Sequence, residues 1–150
     1  MGGNQIFFLS IVRAQKNGSN FEPFLNKNWT LYLNKIYYCD MAAAFMTNGM
    51  LIDDKVFEIL KEYPSTQFGI SLDGASAKTH DYIRGVDGMF EKTCRAIKML
   101  AGVGFYVDVC STFMNSNYNE LDDMLKLVLD LGVDTWQIQM LLPNMCNLCS

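Results

Sequence analysis

From Asp53 onward the apolar positions switch repeatedly between a spacing of about 3.6 residues, which marks a helix face, and short extended runs, which mark strands. Ile52, Val56, Ile59, Leu60 and Tyr63 predict a helix that Asp53 caps and Pro64 stops. A strand is predicted at 67–72, where Phe68, Ile70 and Leu72 alternate with other residues. Phe90, Cys94, Ile97 and Leu100 place a second helix over 89–101, ended by Gly102 and Gly104. The β-forming run Phe105 to Phe113 follows as a strand. Asn117 with Glu120 three positions on has the form of a capping box for a helix over 118–131, with Leu121, Met124, Leu125, Val128 and Leu131 on one face before Gly132. Thr135 to Leu142 reads as a further strand. This alternation with short connections predicts right-handed βαβ units, a parallel sheet and an α/β fold.

The first third is less regular. Met41 to Met46 predicts a strand leading into the turn Thr47-Asn48-Gly49, and Asn28 to Tyr38 predicts a helix despite its aromatics and Thr30. Residues 1–19 have no clean period and read as a frayed start or a partial helix. The stretch 71–88, SLDGASAKTHDYIRGVDG, reads as a polar strand end followed by a long, charged, glycine-punctuated loop. In α/β folds that edge is where ligands are held.

Composition narrows the possible functions. The chain has 150 residues, 50% of them hydrophobic, which predicts one ordered domain with a real core. Twelve basic and sixteen acidic residues give a net charge of −4, with no Lys/Arg cluster, so a nucleic-acid partner is not expected. The apolar run Ile6 to Val12 is too short to span a bilayer and lacks the flanks of a secretory signal. Five cysteines (39, 94, 110, 146 and 149) are read as reduced thiols or metal ligands in a cytoplasmic protein. The ten methionines and ten phenylalanines are core residues in the simplest reading.

Several polar residues carry two readings each. Ser71 and Asp73 either cap the following loop and helix or face a ligand at the strand end. Arg84 is a solvated charge, a partner of Asp81, or a group that receives a ligand carboxylate. His80, the only histidine, is read as a packing or hydrogen-bonding residue. Gln137 and Gln139 share a strand face opposite Trp136, Ile138 and Met140; they line a pocket or hydrogen-bond one another. Cys146-x-x-Cys149 is read as chance or a partial metal site, because no helix start follows it.

Four motifs taken in order add a resemblance. Thr47-Asn48-Gly49 and Ser71-Leu72-Asp73-Gly74 end successive strands, His80-Asp81-Tyr82-Ile83-Arg84-Gly85 follows, and Trp136 to Pro143 forms a later strand. The set resembles radical S-adenosylmethionine (radical SAM) enzymes, in the branch that modifies peptides or proteins and often carries a C-terminal auxiliary-cluster (SPASM) domain. The likeness runs from about residue 20 to 143. It divides the chain into an N-terminal segment 1–19, a partial core domain 20–143 and a tail 144–150. The family's Gly-Gly-Glu-Pro motif aligns with Asn20-Phe21-Glu22-Pro23, since Glu22 lies 25 positions before Thr47, close to one βα unit of about 30 residues. Gly2-Gly3-Asn4 has the glycines without the acid or the proline.

The resemblance implies a TIM-like partial (βα) barrel of parallel strands, with S-adenosylmethionine and a 4Fe-4S cluster as cofactors. It implies that Glu22 holds the amino group of S-adenosylmethionine, beside Thr47 and Asn48. Ser71 and Asp73 would meet the ribose side and Arg84 the carboxylate, with Thr112 facing the pocket. In such enzymes a reduced cluster splits S-adenosylmethionine into methionine and a 5′-deoxyadenosyl radical, which removes a hydrogen atom from the substrate, here a peptide or protein. Two departures accompany the likeness. Asn20 and Phe21 stand where the family has glycines, and the C-x3-C-x2-C run that ligates the cluster is missing from the chain. An eight-unit barrel takes about 250 residues and six units roughly 180, so about five strands fit. The expectation is an N-terminally shortened piece or the product of a decayed gene, inactive alone. The alternative is a non-catalytic remnant that acts as a binding or assembly partner. An unrelated barrel enzyme using carboxylate chemistry is a weaker reading, because no second acid or base lies near Asp73 in sequence.

Overall fold

In the computed structural model, residues 6–9 and 22–141 are described, the first of these as backbone only. The chain builds one parallel sheet whose spatial order follows the sequence: β1 (Ile6–Leu9), β2 (Ala42–Thr47), β3 (Gln67–Ser71), β4 (Tyr106–Phe113) and β5 (Thr135–Met140). The expected count of about five resolves into four strands of five to eight residues and the four-residue β1 beside them. Parallel neighbours require crossovers, and the helices supply them. Helix α1 (Trp29–Tyr38) precedes β2, α2 (Asp54–Leu60) joins β2 to β3, α3 (Ala77–Arg84) and α4 (Met89–Gly102) join β3 to β4, and α5 (Leu121–Leu131) leads to β5.

Strand alternation divides the sheet into two faces. Ala43, Phe45, Phe68, Ile70, Val107 and Val109 pack in one core with Leu33, Leu60, Ile97, Leu100, Met124 and Val128 from the helices. Phe45 is fully buried between stacked Phe24 and Phe68, and truncating such a ring costs about 3–5 kcal/mol. The opposite face presents the intervening residues in lateral rows. Met46, Gly69, Asp108 and Thr135 are in register, as are Ser71, Cys110 and Gln137 in a second row, and Thr112 with Gln139 in a third. Gly69 leaves room in the first row for the end of the Met46 side chain, which would have to move aside for any larger residue.

Three expectations change. Residues 71–88 are not one long loop: Ser76 caps the eight-residue helix α3, and Gly85, with φ 69°, closes it in the left-handed conformation. The helix escapes the hydrophobic pattern because His80 is its one buried residue and Tyr82 is exposed. The capping box at Asn117 and Glu120 does not form. Residues Tyr118–Glu120 make a 3-10 turn, α5 starts at Leu121, and neither side chain caps it. Residues 6–9, expected as frayed or helical, pair with β2 as a parallel strand. Short apolar runs carry no period that separates the two states. The tail 144–150, with Cys146 and Cys149, lies outside the described residues.

Candidate functional site

The C-terminal ends of β2, β3 and β4 gather every predicted binding residue except Glu22 and Arg84, and the chain between the strands brings in those two. Glu22 stands immediately before a 3-10 turn, Pro23–Leu25, and is 9% exposed. Its carboxylate accepts the Thr47 hydroxyl, 2.8 and 2.7 Å from its two oxygens, together with the backbone N–H groups of Asn48 at 3.1 Å and Phe24 at 3.4 Å. Thr47 is itself fixed, its Oγ1 accepting from the N–H of Gly49 at 3.0 Å. Gly49 has φ 79°, which a side chain resists. The Asn48 side chain accepts from the Met50 N–H at 2.9 Å, so it shapes its own turn. Burial pushes the Glu22 carboxyl above its ordinary range, and the hydrogen bonds from Thr47, Asn48 and Phe24 oppose that only in part. Among the described residues no lysine or arginine pairs with it.

The second cluster centres on Asp73, 4% exposed, at the turn after β3. Its N–H donates to His80 Nδ1 at 3.1 Å, its carbonyl accepts from Asn117 Nδ2 at 2.7 Å, and its Oδ1 accepts from the Thr112 N–H at 2.7 Å. Its Oδ2 pairs with Arg84 Nη2 at 2.5 Å. The partner of Arg84 is therefore Asp73 and not Asp81, whose carboxylate instead accepts the N–H groups of Gly88 and Phe90 at the start of α4, at 2.7 and 2.8 Å. Arg84 Nε is buried without a partner among the described residues. His80 is fully buried, and burial, then the Arg84 charge, hold it below the usual histidine range. It acts as a neutral acceptor, in keeping with its reading as a hydrogen-bonding residue.

Ser71 and Thr112 are half-buried on the sheet face away from the helix core, on the same side as Asp108, Cys110 and Gln137. Gln137 and Gln139 share that face, and Gln137 donates to Asp108 rather than to Gln139. Burial followed by the nearby Asp108 carboxylate pushes the Cys110 thiol up to about 11, and burial does the same to Cys94. Both therefore stay protonated at neutral pH. Cys39 is exposed at the end of α1, and no three His, Cys, Asp or Glu side chains among the described residues come together in a metal-holding group. These residues do not fit a 4Fe-4S cluster.

The family model of the Radical SAM superfamily matches residues 22–132. The chain belongs to the radical SAM superfamily. Within that superfamily it is similar to the antilisterial bacteriocin subtilosin biosynthesis protein AlbA of Bacillus subtilis, 36% identical over 112 residues, covering 74% of this chain and 25% of that protein. An AdoMet-dependent heme synthase of Methanosarcina barkeri is 32% identical over 104 residues, covering 69% of this chain and 30% of that protein. This radical SAM chain thus spans between a quarter and a third of the length of these relatives. Its fold matches Streptococcus suis SuiB with a TM-score of 0.71 at 16% identity, covering 83% of this chain and 29% of SuiB. SuiB has also been solved bound to S-adenosylmethionine and bound to the precursor peptide SuiA. The sequentially ordered parallel sheet is the partial TIM-like barrel that the resemblance implied.

Two residues of this radical SAM site escape sequence reasoning. Asn117 holds Asp73 and Thr112 together, and Glu120 accepts from the Ala75 N–H at 2.8 Å and from the Thr79 hydroxyl. Their N-x-x-E spacing was the available signal, but it pointed to a local cap. The residues described contain no helix long and apolar enough to cross a membrane.

Proposed function

We propose that this chain supplies the S-adenosylmethionine-binding wall of a radical SAM enzyme acting on a peptide or protein substrate. The observation that carries the reading is Glu22. A buried carboxylate with three donors and no cation among the described residues suits a ligand ammonium, whose charge would offset its desolvation. Thr47 and Asn48 orient that carboxylate, so their part is to preset the ammonium site. Arg84, its side chain 24% exposed, takes the ligand carboxylate, while Ser71 and Asp73 lie toward the ribose and Thr112 borders the same space. Donors and acceptors set at the strand ends before a ligand arrives bind it with little reorganisation.

In the superfamily, the cluster and S-adenosylmethionine together supply a 5′-deoxyadenosyl radical for hydrogen abstraction. The described cysteines do not fit that cluster, so this chain alone is expected to bind S-adenosylmethionine without cleaving it. The preference for a peptide substrate rests on AlbA, named for bacteriocin biosynthesis, and on SuiB with its precursor peptide. The heme synthase relative makes another substrate class the competing outcome.

Calorimetric titration of the chain with S-adenosylmethionine tests the reading. Saturable binding is expected, weakened about tenfold or more by Glu22→Ala, since hydrogen bonds to charged groups contribute about 1.5–3 kcal/mol. Absence of binding at millimolar ligand, or equal binding by the variant, overturns it.

A further inference from the structure

We infer that Asn117 and Glu120 are positioning residues for Arg84, acting across the sheet edge from the start of α5. The inference rests on the reading that Arg84 receives the carboxylate of S-adenosylmethionine, and it concerns how that guanidinium is held. The starting observation is the capping box that does not form. A side chain at the N-terminus of a helix has unsatisfied backbone N–H groups close at hand. Asn117 and Glu120 leave those of α5 and reach toward the turn after β3.

Asn117 is 1% exposed, so every polar atom of its amide needs a partner. Its Oδ1 accepts from the Met114 N–H at 2.7 Å, and its Nδ2 donates to the carbonyls of Asp73 at 2.7 Å and Thr112 at 2.9 Å. One amide therefore ties the end of β3 to the end of β4 at the point where the Thr112 N–H meets Asp73 Oδ1. With its N–H on His80, its carbonyl on Asn117 and one oxygen on Thr112, Asp73 can turn only its second oxygen to Arg84.

Glu120 fixes the other end of the same unit. Its carboxylate accepts from the Ala75 N–H at 2.8 Å and from the hydroxyl of Thr79, in the first turn of the helix whose last residue is Arg84. Gly74 fits beneath that turn because a Cβ would lie 2.6 Å from the His80 backbone nitrogen. Glu120 thus sets where α3 sits, and Asn117, through Asp73, sets where its terminal guanidinium points. A guanidinium has five donors, and engagement of Nη2 by Asp73 leaves other donors of a side chain that is 24% exposed to meet a ligand acceptor, while the buried Nε reports on how the group is held.

The test uses the whole chain and two readouts. The first is the Nε–H resonance of Arg84 by NMR. In the wild-type chain it is expected to be shifted from free arginine and protected from exchange. In Asn117→Ala, and separately in Glu120→Ala, it is expected to lose both properties while the methyl signals of Ile97 and Leu100 stay in place. Glu120 is half-buried, so its variant keeps the test open should Asn117→Ala fail to fold. The second is calorimetry with S-adenosylmethionine and with its decarboxylated form. Each variant, like Arg84→Ala, is expected to weaken the first ligand about tenfold, the size of one charged hydrogen bond, and to leave the second unchanged. A general structural role would weaken both ligands equally, and that result overturns the inference. An Arg84 resonance unmoved in either folded variant overturns the positioning role of the residue replaced. Should Arg84→Ala fail to discriminate the ligands, or the wild type bind neither, the reading of Arg84 fails, and the Arg84 resonance still decides whether Asn117 and Glu120 hold it.

Discussion

Glu22 is held in a state that favours its own protonation. Its folded pKa is raised above 4.5, so the native chain holds this proton more tightly than the unfolded chain does. The stability that follows is fully present below pH 4.5 and is lost as pH rises through the raised value. Glutamine at this position does not titrate. The difference in unfolding free energy between wild type and Glu22→Gln, measured by urea titration, is therefore expected to favour the wild type most below pH 4.5 and to fall as pH rises toward neutral. A difference constant with pH would contradict the assignment. S-adenosylmethionine should oppose this trend, because its ammonium needs the ionised carboxylate. At this scale the sequence was informative about residue types and silent about most pairings. Glu22 and Thr47, 25 positions apart, could be placed together only through a known motif order, and Arg84 had an acid nearer in sequence than Asp73.

At the level of elements, the legible parts are those whose apolar stripe is broad. Helices α4 and α5 and strands β3 and β4 lie within a few residues of their expected bounds, because packing on one core requires the same spacing that the sequence displays. Helix α3 was hidden because polar contacts and caps hold it in place of a stripe. Asp81, on that helix, supplies a cap to the next one: Gly88 at the N-cap of α4 has no side chain, and the Asp81 carboxylate accepts the orphan N–H groups of Gly88 and Phe90. Asp81→Ala is expected to destabilise the chain by about 1–2 kcal/mol, the range of a lost cap with two acceptors. Asp87→Ala, an exposed residue of the same loop, is the control and should stay within about 0.5 kcal/mol of wild type. Equal urea midpoints for the two variants would mean that α4 does not depend on this cap.

For the whole molecule, the sheet order decides what is covered. A parallel sheet is stable in water when both its faces are packed, and an edge strand invites pairing unless it is charged or bulged. Strand β5 satisfies neither condition among the described residues. Trp136 joins the core at one end, yet Ile138 and Met140, on the same face, are 46% and 74% exposed, and Leu141 is 63% exposed. The outward side of α5 adds Leu125 at 46% and Leu129 at 70%. Patches of this kind associate, and the edge of β5, unpaired among the described residues, gives the association a direction. The isolated chain is therefore expected to self-associate with rising concentration in sedimentation velocity. The double variant Ile138→Lys with Met140→Lys should shift it toward the monomer at little cost in melting temperature, since exposed side chains lose few contacts. Ile138 and Met140 lie on the core face with Trp136, whereas Thr112, in register with Gln139 between them, lies on the opposite face with Ser71, and Asp73 and Arg84 sit after β3 and on α3, so affinity for S-adenosylmethionine should be unchanged in the variant. If the double variant associates as strongly as the wild type, the β5 face is not the surface that drives association. If it also loses S-adenosylmethionine, edge packing and site geometry are coupled, and the parallel sheet is too compliant to hold its strand ends in place unless β5 is covered.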